Sequence, residues 1–313
     1  MIDVVQHTIK SSSTVQIETR VYLPNTADTL GKNNIILFVH PWGLLGGSWY
    51  NTDSLARSCT TKTGCTSVIC NLRGVGNSTG RSTCCGHSEV QDIVAVSEYV
   101  LQQYGASKTT KIWIVAQSAG AASAGTAVQR LGTSCGGIVF VGYVFGCATS
   151  VVFGRHYSSV LHCKKKKLFI LGTKDCFTTR ATMRRVVKRC DHESTLVLLG
   201  GVGHFELTAT SMDEIVSSLV VQFLRGGGSG ETVDGENVRG EKVGSELERV
   251  LRDLSVDGEV VEFHGSISSS SLSSCCCCPP WSYCDYCTCW VFWFLSSLVV
   301  AVVLVVLSSI DVL

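Results

Sequence analysis

Six short apolar, β-branched runs spaced through the first two hundred residues constrain this chain more than anything else in it: 34–40, 67–73, 111–117, 137–143, 167–173 and 195–201. Runs of that length without polar alternation suit strands covered on both faces, and such strands belong to a mainly parallel sheet between two layers of helices. The intervening stretches fit that picture. Residues 89–104 carry Val90, Ile93, Val94, Val100 and Leu101 at helical spacing, and 212–224 reads as a last helix packing on the sheet. Residues 14–23 alternate with period two, as an early antiparallel strand would. The expectation is an α/β domain over 1–225 built on a mostly parallel sheet with helices on both faces.

Three residues that follow such runs, in the order Ser118, Asp175, His204, define a candidate chemistry. Ser118 interrupts Lys111-Ile-Trp-Ile-Val-Ala-Gln-Ser-Ala-Gly-Ala121, where a strand breaks into small residues before a helix. Such a turn strains the serine backbone, lifts the hydroxyl off the sheet and points the next main-chain N–H at a developing oxyanion. Asp175 ends Leu168-Phe-Ile-Leu-Gly-Thr-Lys-Asp175, and His204 lies in Leu199-Gly-Gly-Val-Gly-His-Phe205. All three therefore leave the carboxyl ends of parallel strands, where sites in open α/β sheets gather. A serine hydroxyl needs a base to take its proton and a third group to orient that base, which casts His204 and Asp175 in those roles. Singly, each could be an ordinary turn residue; their joint placement is what carries the reading. His192 precedes a strand at the opposite edge, and His156 and His162 flank the basic run 164–167, read as a solvated strand entry. The oxyanion is expected to rest on the N–H of Ala119 and on that of Trp42, in the loop after the first run.

His40-Pro-Trp-Gly-Leu-Leu-Gly-Gly47, Asn71-Leu-Arg-Gly-Val-Gly-Asn-Ser-Thr-Gly80, Val115-Ala-Gln-Ser-Ala-Gly120, Gly172-Thr-Lys-Asp-Cys-Phe-Thr178 and Gly203-His204 together resemble the α/β-hydrolase superfamily. The likeness is to its compact members related to dienelactone-hydrolase-like and serine-peptidase-like branches, and it spans residues 1 to about 225. It implies an eight-stranded sheet with Ser118 as nucleophile, His204 as base and Asp175 as orienting acid. The chain departs from the usual pattern at Ala116, where glycine is customary in Ala116-x-Ser118-x-Gly120. Only about 24 residues separate the runs at 137–143 and 167–173, too few for the lid domain that larger lipases insert there.

Composition bounds the rest. Lys+Arg 26 against Asp+Glu 25 leaves a net charge of +1, so no global field recruits nucleic acid. Ten of the 17 cysteines are scattered through the first 190 residues without metal-ligand spacing and read as buried, reduced thiols. No metal and no cofactor is expected. Beyond residue 225 the composition changes. Residues 226–274 read as a linker rich in glycine, serine and charge, with a possible short helix at 245–254. Residues 275–289 hold Cys275, Cys276, Cys277, Cys278, Cys284, Cys287 and Cys289. Juxtamembrane thiols of this kind suit palmitoylation; a metal site on Cys284-x-x-Cys287 with Cys278 or Cys289 is the alternative. Residues 290–310 carry no charge and are long enough to cross a bilayer, with Trp290 and Trp293 as interfacial anchors. The start Met1-Ile-Asp-Val lacks the pattern of a secretory signal. The sequence thus predicts a single-pass, tail-anchored serine hydrolase facing the cytosol and cleaving a small-molecule or lipid-like acyl ester or thioester. A peptidase with the same triad, and a non-catalytic scaffold at the membrane, are the alternatives.

Overall fold

In the computed structural model, the residues described are 2–25, 29–226 and 263–265. The chain begins with β1 (Ile2–Lys10) and β2 (Gln16–Pro24), an antiparallel hairpin. It continues through α1 (Thr29–Asn33), β3 (Asn34–Val39), α2 (Tyr50–Thr63), β4 (Thr66–Cys70), α3 (Glu89–Tyr104), β5 (Lys111–Gln117), α4 (Gly120–Leu131) and β6 (Cys135–Val141). There follow α5 (Cys147–Leu161), β7 (Lys166–Gly172), α6 (Arg180–Lys188), β8 (Ser194–Leu199), α7 (His204–Leu207) and α8 (Asp213–Gly226). The strands lie in the order β1-β2-β4-β3-β5-β6-β7-β8, and β4 through β8 in that order are all parallel. A three-residue β9 (Phe263–Gly265) pairs antiparallel with the start of β8, so among the described residues the sheet has nine strands, one more than the resemblance implied. That ninth strand falls within the stretch read as linker. The segments 245–254, 275–289 and 290–310 lie outside the described residues. Among the described residues no helix is long and apolar enough to cross a membrane.

The apolar runs behave as two-sided strands must. Ile35, Leu37 and Val39 of β3 and Ile112, Ile114 and Ala116 of β5 point into one core, beneath α3, α4, α5 and α6. Ile36, Phe38, Trp113 and Val115 point into the other, beneath α2 and α8. Period-two geometry sends alternate side chains of one run to opposite faces, so the strand must be apolar throughout. The expected strands are present with ends shifted by up to three residues, and β5 and α3 coincide with expectation. β1 had no such signal. As the outer strand of the sheet it is mostly half-exposed or exposed, with Ile9 its buried residue.

The basic run differs from its expected solvated character at one residue. Lys167 is buried, with Nζ donating to the carbonyls of Cys163 and Lys165 at 2.6 and 3.0 Å, and burial lowers its pKa. The strand pleat turns it inward while Lys164 stays exposed.

A buried ion pair locks the loop after β4. Asp92 of α3 is fully buried and takes bidentate bonds from Arg73 at 2.7 and 2.8 Å, a third from the Arg73 main-chain N–H and a fourth from Ser11. Removing one partner leaves the other charge buried without compensation. Asp92→Ala is therefore expected to cost about 3–5 kcal/mol in urea denaturation, and adding Arg73→Met should recover part of that loss.

Asp213, in the first turn of α8, is buried with Oδ2 unbonded, and burial raises its pKa to about 6 despite a bond from Ser54. The fold thus prefers the protonated acid. Its contribution to stability is full below the unfolded-state pKa near 4 and is lost as pH rises through about 6. Asp213→Asn should raise the melting temperature at pH 7.5 and leave it unchanged at pH 4.

Candidate active site

Ser118 occupies the turn between β5 and α4 with φ of +52°, the one non-glycine residue with positive φ among the described residues. That conformation costs an L-residue about 1–3 kcal/mol and persists only where surrounding bonds hold it. Here the Ser118 N–H donates to the Val141 carbonyl at the end of β6 (2.9 Å), and its own carbonyl accepts from Ala121 in α4 (3.1 Å). Strand and helix therefore clamp the serine from both sides.

The loops after β7 and β8 are pressed together because Gly172 has no side chain: a Cβ there would sit 2.2 Å from the Val202 carbonyl oxygen. The Lys174 N–H donates to that same carbonyl at 2.9 Å. This contact brings Asp175 to His204. The Asp175 Oδ2 lies 2.7 Å from His204 Nδ1, and its Oδ1 accepts the main-chain N–H groups of Phe177 and Thr178, both at 2.8 Å. A carboxylate already accepting on both oxygens leaves Nδ1 as the protonated nitrogen, so Nε2 presents its lone pair. Nε2 is 2.8 Å from Ser118 Oγ. The Asp175 and His204 side chains are 0% and 2% exposed, which excludes water from the line of proton transfer. Phe177 packs edge-on against the imidazole, with ring centroids 4.6 Å apart.

The residues expected to hold an oxyanion come to one cavity. Trp42 and Ala119 line it together with His40, Glu89, Ser123 and Phe153. Among the described residues neither the Ala119 nor the Trp42 main-chain N–H donates to a protein acceptor. Ala119 is buried, and a buried N–H left open in this way is uncommon enough to ask for a ligand. Gly120 allows the two segments to meet, since a Cβ on it would lie 2.0 Å from the His40 carbonyl oxygen.

His40, which opens the His40–Gly47 motif, is a positioning residue with no role evident from sequence. It is buried, and burial pushes its pKa down to about 4. The neutral ring has Nδ1 2.6 Å from the Pro41 carbonyl, while Nε2 accepts the Leu72 N–H at 3.0 Å. It thus ties the Trp42 loop to the end of β4 through uncharged bonds. A histidine directly after a buried strand is the signal that could have marked it. His156 is likewise an internal tie, 2.7 Å from both Thr126 Oγ1 and the Cys85 carbonyl. His162 is exposed beside Asp191, away from the strand ends that carry Ser118. The cysteines whose side chains are described form no disulfide among themselves: Cys59, Cys65, Cys70, Cys135, Cys163 and Cys190 are buried, Cys85 is half-buried, and Cys84 and Cys176 are exposed.

The arrangement finds its likeness in a known fold. The family model for the alpha/beta hydrolase fold matches residues 34–155, the stretch from β3 into α5. An alpha-beta serine hydrolase homologue from Coxiella burnetii superposes with a TM-score of 0.57 at 22% identity, over 70% of this chain and 96% of its own. A serine hydrolase without lid from Xanthomonas campestris gives 0.58 at 20% identity, over 71% of this chain and 94% of its own. Dienelactone hydrolase from Anabaena variabilis gives 0.55 at 14% identity, over 72% and 98%. No curated protein matches the sequence significantly. The chain has the α/β-hydrolase fold, as its motifs suggested. Within that fold it is similar to the compact, lidless members: residues 142–165, between β6 and β7, hold α5 and no inserted domain.

Proposed function

We propose that the chain is a serine hydrolase that cleaves a carboxylic ester or thioester through an acyl-enzyme. The observation that carries this reading is the bonded line from Ser118 Oγ through His204 to Asp175, at 2.8 and 2.7 Å, ending on a serine held at positive φ. As Ser118 attacks the acyl carbon, His204 Nε2 takes the hydroxyl proton and Asp175 stabilises the imidazolium that results. Charge developing on the carbonyl oxygen is met by the Ala119 and Trp42 N–H groups. His204 then protonates the departing alcohol or thiol, and in the second half-reaction it activates the water that releases the acid.

The apolar, uncharged segment 290–310 supports a membrane location, with the hydrolase domain on the cytosolic side and the cysteines of 275–289 as palmitoylation sites. A lipid-like acyl ester is the substrate class that such a location favours. Two measurements test these readings. Purified full-length protein should react with a fluorophosphonate probe and turn over p-nitrophenyl esters faster than aminoacyl or prolyl amides. Greater efficiency on amides would make it a peptidase, and failure to react with the probe would leave a scaffold. For the anchor, the full-length chain should stay with membranes through alkaline carbonate; release into the wash would remove the membrane span.

A further inference from the structure

The large apolar side chains most exposed among the described residues are Val4, Leu44, Leu45, Tyr50, Val151 and Phe205. Single exposed apolar residues are ordinary on a protein surface. Their distribution here is not, because all but Val4 sit on segments that leave the carboxyl ends of parallel strands. Leu44 and Leu45 form a single helical turn after β3, and Tyr50 opens α2. Val151 lies in the first half of α5, after β6, and Phe205 directly follows His204, after β8.

Ring contacts join these segments around the site. Trp42, two residues before Leu44, meets Phe153 of α5 edge-on at 5.3 Å, and Phe205 meets His204 and Phe177 at 5.4 and 5.9 Å. Leu45, Val151 and Phe205 are 60, 78 and 72% exposed, so they project from the mouth and do not line its floor. The opposite end of the sheet, where the strands begin, presents charge instead: Lys108, Arg130 and Lys164 are exposed there.

We infer that this apolar rim seats on the surface of a lipid bilayer and draws its ester from the lipid phase. Two features select that occupant. With no inserted domain between β6 and β7, nothing from that connection covers the rim. The uncharged run beginning at Trp290 lies 25 positions past Gly265, where β9 ends, and a stretch of that length has a greatest reach of roughly 85 Å, enough to let the rim meet the same membrane. Apolar side chains projecting a few ångströms from a rim bind a bilayer through the area they bury in it, without need of a charged lipid. The inference deepens the ester-hydrolase reading by naming where the substrate resides, and contact with lipid can be measured apart from catalysis.

The test uses the full chain carrying Ser118→Ala, added to phosphatidylcholine vesicles and followed by hydrogen exchange. Protection should appear at residues 42–51 and 203–208 and be absent at 164–166. Protection at the lysine edge alone, or none anywhere, would overturn the inference. So would rim protection without vesicles that grows with protein concentration, because a second copy would then be the occupant. In the otherwise unchanged chain, Leu45→Glu with Val151→Glu should slow hydrolysis of a long-chain ester in vesicles by about tenfold or more. The same pair should leave a water-soluble short ester within about twofold, and an equal loss on both substrates would count against the rim. If neither ester is hydrolysed while the rim is still protected by lipid, the bilayer contact stands and the hydrolase reading falls.

Discussion

Ser118→Ala is expected to lower kcat on any ester substrate by roughly 10³-fold or more and to abolish labelling by a fluorophosphonate. The alanine keeps the Cβ, so the strained turn at φ +52° and the bonds that clamp it remain. What disappears is the one oxygen within 2.8 Å of His204 Nε2. Residual turnover would come from the oxyanion donors and from positioning alone, so adding His204→Ala to Ser118→Ala should cost little more. Asp175→Asn tests the same line from its far end. If the amide oxygen keeps the Phe177 and Thr178 N–H groups, the amide nitrogen must face His204 Nδ1. Nδ1 would then accept, Nε2 would carry the proton, and the base would face Ser118 in the wrong tautomer. A loss approaching 10⁴-fold is expected, with the unfolding midpoint little changed. Ser118→Ala that retains a rate within tenfold of the parent, at equal folded fraction, would remove Ser118 as the nucleophile. Ser118→Gly offers a check on the strain itself: it should be as inactive, yet more stable than Ser118→Ala by about 1 kcal/mol.

Much of this site was legible because the physics that makes it is local. A two-sided strand must be apolar along its whole length, so β3 to β8 announced themselves, and Ser118, Asp175 and His204 could be placed at strand ends by counting. Elements whose reasons are tertiary were harder to see. The helix α2 (Tyr50-Asn-Thr-Asp-Ser-Leu-Ala-Arg-Ser-Cys-Thr-Thr-Lys-Thr63) has few apolar residues and many poor helix formers. It exists because Leu55, Ala56 and Cys59 pack on the face of the sheet shared with α8. β1 carries no core periodicity because it borders solvent, and its place is set by pairing along all of β2. His40 had a visible position but no visible role, because its partner Leu72 lies on another strand's end. The raised pKa of Asp213 and the inward turn of Lys167 depend on burial that sequence spacing does not specify.

Gly120→Ala should be among the most damaging single-methyl changes in the domain, because it acts on geometry and not on a reacting group. The added carbon would stand 2.0 Å from the His40 carbonyl oxygen, backbone against backbone, where no side-chain rotation offers relief. Separating them to van der Waals contact requires the start of α4 or the His40–Pro41–Trp42 loop to move by more than about 1 Å. Either movement changes the distance between the Ala119 and Trp42 N–H groups, and oxyanion stabilisation tolerates little displacement of its donors. The expected result is a fall in kcat of about 10²-fold or more with a smaller change in KM, together with about 1–3 kcal/mol of lost stability from overpacking. Ala116→Gly, at the other small position of the motif, provides the contrast. Ala116 is fully buried within β5, so its loss should cost about 1 kcal/mol in stability and leave kcat nearly unchanged. Measured side by side, the two variants ask whether the turn needs smallness on both sides of the serine or only where α4 meets the loop after β3. A Gly120→Ala enzyme with parental kcat would mean that the two segments can part without consequence, and that the N–H of Trp42 plays no part in holding the oxyanion.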